Sequence, residues 1–275
     1  MAPRSSHLSP GVPSRFFAAL IVLFLLGPIV IAGIVAFSSG DRLEFPIPGF
    51  SLRWFAIALS KPQYIEGLTV SVIIGLGNAV LATIAGTGAA LALNHYRFCG
   101  RSVIQALVML PIAMPAIVLG LGLLFTLAVY DMQPGLLAGT LGHAVLGVPY
   151  VVAMVTAALS NYDRSVERAS MNLGVGPVRT FFKITLPLIR GGVIAGAVSA
   201  FLISFDNFSL SLFITRGDTL PLRLMQQLLA YADPSVAAIS AVLVIASLAC
   251  MVTARASQQI GARERKPGKF VEIGA

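Results

Sequence analysis

The chain has 275 residues, of which 57% are apolar, and its charges are few: 19 Lys+Arg against 11 Asp+Glu. A soluble domain carries roughly a quarter charged residues, so a chain with 11% has too few to cover a water-facing surface, and the mean hydropathy of +0.88 agrees. A soluble enzyme, a disordered chain and a disulfide scaffold are excluded, which leaves an integral membrane protein whose net charge of +8 reports topology.

A spanning helix takes about 20 mostly apolar residues, because the hydrocarbon core is about 30 Å thick. After a tail at 1–15, the first such stretch is Phe16–Phe37. It exceeds the roughly 7–15-residue apolar core of a signal peptide and reads as a retained anchor. The next segment, Ser38–Gly67, carries Phe45, Phe50, Trp54, Phe55 and Tyr64, a spacing that fits a stretch lying at the membrane interface. The second span is Leu68–Leu93, and the short Asn94–Ser102 loop leads to the third, Val103–Val129. Pro111 and Pro115 predict a kink there that frees backbone carbonyls. The kink reads either as a hinge lining a pathway or as a static fit to packing. The fourth span is Gly139–Leu159, where His143 and Tyr150, like Asn78 in the second, read as buried hydrogen-bond partners. The fifth, Gly191–Ile214, holds a Gly192/Gly196 pair suited to close helix approach. The sixth is Val236–Ala254, and 255–275 is a basic cytoplasmic tail. The predicted fold is all-α, with six transmembrane helices.

Charge sets the orientation. With the N-terminus inside, 14 Lys+Arg fall on inside segments and 5 on outside ones, which places both termini in the cytoplasm. Cys99 and Cys250 are the only cysteines, and His7, His95 and His143 do not cluster, so neither a disulfide framework nor a metal site is indicated. No GxxxxGK[ST] loop is present. The Gly-x-Gly pairs at Gly75/Gly77, Gly86/Gly88, Gly120/Gly122 and Gly174/Gly176 lack the third glycine of a dinucleotide site and read as helix contacts or turns. No catalytic residue is indicated, and any ATPase belongs to another chain.

The cytoplasmic loop at 160–190 is the most informative stretch. Asp163 is placed to cap a helix over Arg164–Leu173, Gly174 to stop it, and Gly176-Pro177 to open a second short helix. Thr185-Leu186-Pro187 is expected to break that helix before the fifth span. Val166, Ala169 and Leu173 share one face, with Arg164, Glu167 and Arg168 pointing elsewhere. The pattern fits either a helix resting on lipid headgroups or a rigid knob inserted into a cytoplasmic partner.

Val166-Glu167-Arg168-Ala169-Ser170-Met171-Asn172-Leu173-Gly174, followed by Ile184-Thr185-Leu186-Pro187, resembles the EAA loop of binding-protein-dependent ABC importer permeases. Gly174 and Ile184-x-Leu186-Pro187 stand at the family spacing. Arg168 occupies the position of the motif glutamate, Ala169 matches, Ser170 replaces the second alanine, and Glu167 lies one residue earlier. Leu91–Phe98 and Leu110–Gly120 are similar to the family as well. Ser204-Phe205-Asp206-Asn207-Phe208, with Thr219–Leu222, looks like the C-type subunit of the spermidine/putrescine branch, although ferric-ion and other small-solute permeases share similar stretches. The resemblance implies a MetI-like permease fold in the bacterial inner membrane. It also implies a second permease subunit, a paralogue rather than a copy, as partner, an ATP-binding subunit dimer that carries ATP and Mg, and a periplasmic solute-binding protein. No cofactor is bound by this chain itself. The docking residues it implies are Glu167, Arg168, Ala169, Ser170, Leu173, Gly174, Leu186 and Pro187.

Asp206 is the one charged residue inside a span. A charge in hydrocarbon costs at least about 2.5–3.5 kcal/mol, so it is expected to face a cavity, an interface or water. It reads either as an anionic group on a cation route or as a helix-end carboxylate paired with Arg216 or Arg223. Ser204, Asn207 and Ser211 share its neighbourhood and form a polar stripe, and with Pro111 and Pro115 they complete the pathway candidates. A proton-coupled transporter is disfavoured by the single intramembrane acid and the lack of an internal repeat. A membrane enzyme is disfavoured by the absence of paired acids, HExxH or a nucleophile elbow.

Overall fold

The computed structural model describes residues 12–160 and 163–248, which are helical apart from turns and one isolated antiparallel bridge, Ser38 to Phe50. The chain divides into two compact units. One is Pro62–Gln226; the other joins Met1–Lys61 to Gln227–Ala275.

The larger unit contains α3 (Pro62–His95), α4 (Arg101–Ala113), α5 (Ala116–Val129), α6 (Leu136–Ser160), α7 (Ser165–Asn172), α8 (Pro177–Thr180), a π-helical turn at Phe181–Thr185, α9 (Leu186–Phe205) and α10 (Phe208–Ile214). The smaller unit contains α1 (Val12–Ala36) and α2 (Arg53–Ser60). Helix α11 (Leu220–Ala230) runs out of the larger unit, and α12 (Ser235–Leu248) comes after it. Four described helices are long and apolar enough to cross a bilayer, five if α4 and α5 are one bent span. The end of the predicted sixth span, 249–254, lies outside the described residues.

The core of the larger unit is α3, α6 and α9, and small residues decide how closely they approach. Lipid is as apolar as leucine, so helices associate there through dispersion and hydrogen bonds at short range. A Cβ on Gly86 of α3 would lie 2.7 Å from Val151 Cβ on α6, and one on Gly196 of α9 would lie 3.0 Å from Val151 Cα. Val151 is fully buried between them. Gly192 meets Ala158 and the Met154 carbonyl, Gly75 meets the Phe201 ring, and Gly77 meets Thr140. The Gly-x-Gly pairs are therefore helix contacts at Gly75, Gly77, Gly86 and Gly120, whereas Gly88 and Gly122 face nothing within 4 Å.

Three boundaries differ from the sequence reading. The third span is not one kinked helix: α4 and α5 meet at 109°. The break falls at Met114-Pro115, where the proline ring forces the preceding residue into an extended conformation (φ −87°, ψ 140°). Pro111 lies in the last turn of α4 and leaves it unbroken. The fifth span begins earlier than Gly191, because helix runs without interruption over Pro177–Phe205. Pro187 does not end it. The π turn before it bonds Leu186 N–H to the Phe181 carbonyl, a widened register that absorbs the imino ring in the first turn of α9. The same span then stops early, at Asp206-Asn207, and restarts as α10.

In the smaller unit α1 is exposed on nearly every side, as a lipid-facing helix is. Trp54 is buried: its indole N–H donates to the Gly40 carbonyl at 3.0 Å, and Arg53 stacks on its ring while pairing with Asp41 at 2.5 Å. An indole removed from water needs such an acceptor, and the turn after α1 supplies it. Phe45 and Phe50 are exposed, and Tyr64, in α3 of the larger unit, is buried. The α11–α12 turn is held by Asp233, which accepts from Lys61 Nζ at 3.1 Å and from Gln227 Nε2 at 2.8 Å and caps Ser235. Burial alone raises the Asp233 carboxyl, but the bonds from Ser235, Lys61 and Gln227 outweigh it and hold it below the ordinary carboxylate range.

Candidate functional site

Two places in the larger unit concentrate polar groups. The first is α7 and its surroundings. Asp163 accepts from the Ser165 backbone N–H at 2.8 Å and its hydroxyl at 2.6 Å, which starts the helix. The Ser165 hydroxyl, then its amide, hold the Asp163 carboxyl below its usual range. Gly174, at φ +82°, ends α7 in the left-handed conformation that glycine adopts without a steric cost, and Pro177 opens α8.

The structure decides which face of α7 turns inward. Glu167 and Ser170 are buried, while Val166 and Leu173 face out, Leu173 at 84% exposure. Glu167 Oε2 lies 3.0 Å from His95 Nε2 at the end of α3, and Oε1 accepts from the Thr185 hydroxyl in the π turn. Ser170 and Thr180 hydroxyls bond at 3.0 Å, and Arg164 donates to the Asn94 carbonyl. The reason is geometric. Helix α3 has 34 residues and Pro177–Phe205 has 29. At about 1.5 Å per residue both exceed a bilayer core of about 30 Å. Each thus has residues beyond a spanning length, and His95, Thr180 and Thr185 at their ends form the polar backing on which α7 lays its polar face. Arg168 and Ala169 are exposed, and Leu186 and Pro187 are half-buried at the start of α9. His95, Thr180 and Thr185 carry no sequence signal that marks them as site residues. The one usable signal is a glutamate displaced by a single position from the motif, which rotates it by about 100° on a helix of 3.6 residues per turn.

The second place is the α9–α10 break. Asp206 is not inside a helix but ends α9, exposed. Asn207 is half-buried in extended conformation, and its side-chain oxygen accepts the Leu210 N–H at 2.8 Å, capping α10. Asn207, which bonds the backbone three residues on, thus starts the next helix where α9 stops at Asp206. Asp206 pairs with neither expected arginine; Arg216 donates to the Pro134 carbonyl at 3.0 Å. The polar stripe converges on α6: Ser204 lies 2.8 Å from His143 Nδ1 and Ser211 3.2 Å from Nε2, all three buried. Asn78 donates to the Ala200 carbonyl at 2.5 Å, and Tyr150 is only half-buried. Pro115 is exposed at the α4–α5 break and Pro111 half-buried beside it.

Helices of this length and composition make the chain a multi-pass membrane protein. The profile of a family described as binding-protein-dependent transport system inner membrane component matches residues 82–266, and the chain belongs to that family. It is a transport subunit of a bacterial inner membrane. The chain is 30% identical over 246 residues to the spermidine/putrescine transport system permease protein PotC of Haemophilus influenzae, covering 87% of this chain and 95% of that one. It is 30% identical over 267 residues to the putrescine transport system permease protein PotI of Escherichia coli K12, covering 91% and 95%. The crystal structure of a bacterial ABC transporter involved in the import of the acidic polysaccharide alginate shares the fold, with a TM-score of 0.65 at 14% identity over 94% of this chain and 98% of that one.

Proposed function

We propose that this chain is the permease subunit of an ATP-driven importer that moves a polyamine from periplasm to cytoplasm. The carrying observation is near-full-length similarity to permeases named for putrescine and spermidine, together with a carboxylate at a helix break. Irregular backbone at membrane depth is tolerated where it lines a cavity or is buried in protein. Asp206 also stands at the C-terminal end of α9, the negative end of the helix dipole, where a carboxylate is disfavoured on its own and a cation is favoured. An ammonium group passing this point offsets both charges.

In this reading two ATPase subunits carry ATP and Mg, a second permease chain, a paralogue, completes the pathway, and a periplasmic protein delivers the solute. ATP binding closes the ATPases, α7 moves with them, and packed helices switch between two arrangements. Asp206→Asn is expected to lower putrescine uptake about tenfold with assembly intact, the scale of one hydrogen bond to a charged group. Normal uptake in membrane vesicles would assign Asp206 to packing. Uptake that persists without the ATPase and tracks a proton gradient would sink the importer reading.

We infer from the 14-to-5 split of Lys+Arg that both termini lie in the cytoplasm, and with them the Asn94–Ser102 loop. Cys99 is exposed there. In a Cys250→Ser background a membrane-impermeant maleimide should label Cys99 in inverted vesicles and spare it in intact spheroplasts. The reverse pattern would invert the topology.

A further inference from the structure

Helix α7 is tied to the membrane helices by more than chain connectivity, and Glu167 is where the ties meet. Its two carboxylate oxygens go to different elements. Oε2 lies 3.0 Å from His95 Nε2, in the last turn of α3. Oε1 accepts from the Thr185 hydroxyl in the π turn, which continues as α9. His95 is itself fixed, with Nδ1 at 3.1 Å from the Leu91 carbonyl. A carbonyl only accepts, so Nδ1 carries a hydrogen. The 3.0 Å approach of Nε2 to Oε2 then needs a proton between them, because two bare lone pairs at that distance repel. Glu167 is buried and its partner His95 is half-buried. Beyond it, α3 and α9 share a core with α6 across glycine contacts.

We propose that Glu167 is a positioning residue that carries displacement of α7 into α3 and α9 together, through His95 and Thr185. The proposal rests on the reading of this chain as the permease of an ATP-driven importer. It separates two jobs on one short helix. The outward residues, Leu173 and Val166 among them, meet a partner, and the inward carboxylate passes the motion on. Without Glu167, α7 keeps its Ser170–Thr180 and Arg164–Asn94 contacts and its outward face, so a partner still docks. Displacement of α7 then reaches α3 and α9 only through those two contacts, without the carboxylate that holds both at one point, and less of it is passed on.

The test is made on the complete transporter, reconstituted with the chains that co-purify with this one. It compares the parent with Glu167→Ala, Glu167→Gln and Thr185→Val. The readouts are labelled putrescine moved per ATP hydrolysed and the amount of ATPase retained on the same preparation. Glu167→Ala is expected to retain the ATPase and move about tenfold less putrescine per ATP, a usual size for a coupling between sites. Glu167→Gln should stay within about twofold of the parent, because its carboxamide oxygen accepts from Thr185 while its NH2 donates to a neutral His95 Nε2. Thr185→Val, nearly isosteric, should fall between them, and it carries the test if Glu167→Ala does not accumulate. A parental ratio in Glu167→Ala, or in Thr185→Val where that variant carries the test, overturns the proposal. So does a Glu167→Gln as impaired as Glu167→Ala, which would mark a charge contact with the partner. Loss of the ATPase from Glu167→Ala would assign Glu167 to docking and overturn it as well. A parent that hydrolyses ATP and moves no putrescine fails the polyamine reading instead. Glu167 is then read from stimulation of the ATPase by the binding protein, which Glu167→Ala should lose and Glu167→Gln keep.

Discussion

Deleting Arg164–Leu173 is expected to abolish co-purification of an ATPase chain with this permease. The stretch is the whole of α7 with its flanks, and its outward side is unusual for a helix at a polar surface. Leu173 is 84% exposed and Val166 44%, while Glu167 and Ser170 are turned inward, and Val178 in α8 and Phe182 in the π turn are exposed as well. Apolar area left in water costs about 25 cal/mol per Å², so this arrangement is unfavourable until something covers it. Around these residues stand exposed Arg168, Arg179 and Lys183, a basic rim suited to an acidic cleft. A deletion also removes the inward contacts, so a milder variant separates docking from folding. Leu173→Asp touches only the exposed side and should weaken association by about thirtyfold, the effect of losing one interface hot spot. Retained association in both variants would return α7 to the lipid-headgroup reading. That outcome would show as binding to anionic vesicles that Leu173→Asp reduces.

The second large effect lies in the bundle. Gly86→Leu should destroy the folded protein, whereas Gly88→Leu, two residues along the same helix, should be tolerated. A Cβ at Gly86 would already lie 2.7 Å from Val151 Cβ and 3.0 Å from the Val148 carbonyl, and backbone cannot yield as a side-chain tip can. At Gly88 nothing lies within 4 Å. Overpacking of a tight core costs about 1–3 kcal/mol even for small additions, and a leucine here separates α3 from α6 along their length. The check is the monodisperse fraction and melting temperature of detergent-purified protein. Equal behaviour of the two variants would mean that α3 and α6 do not pack as described.

Both effects depend on details that differ in how far sequence exposes them. Span composition is a one-dimensional property: a run of apolar residues long enough for the bilayer shows in any window, and the spans at Phe16–Phe37, Leu68–Leu93 and Gly139–Leu159 each recur within a few residues of the observed helices. Caps are nearly as local. Asp163, Gly174 and Pro177 act on their immediate neighbours, so their roles derive from residue type and order. Breaks are less legible. Pro111 and Pro115 carry the same ring, and only the second breaks the span. Pro187 is absorbed by a π turn that no composition rule announces. Asp206 is visible in the sequence as an intramembrane acid, but its place at a helix end depends on Asn207 capping α10.

The amino-acid sequence on its own determined that this chain lives in a bilayer, that the loop at 160–190 carries a short capped helix, and that Asp206 is the charge to question. Each of these rests on residue type at short range. Only the tertiary structure decided which way α7 faces and what Glu167 touches. Periodicity names two faces of a helix without saying which is buried, and here the ends of α3 and α9 offer His95 and Thr185, so the polar face turns in. These partners lie 72 and 18 residues from Glu167 in the chain, and no local pattern brings them together. It likewise decided that His143 gathers Ser204 and Ser211, because only the packing of α6 against a broken span makes those three neighbours.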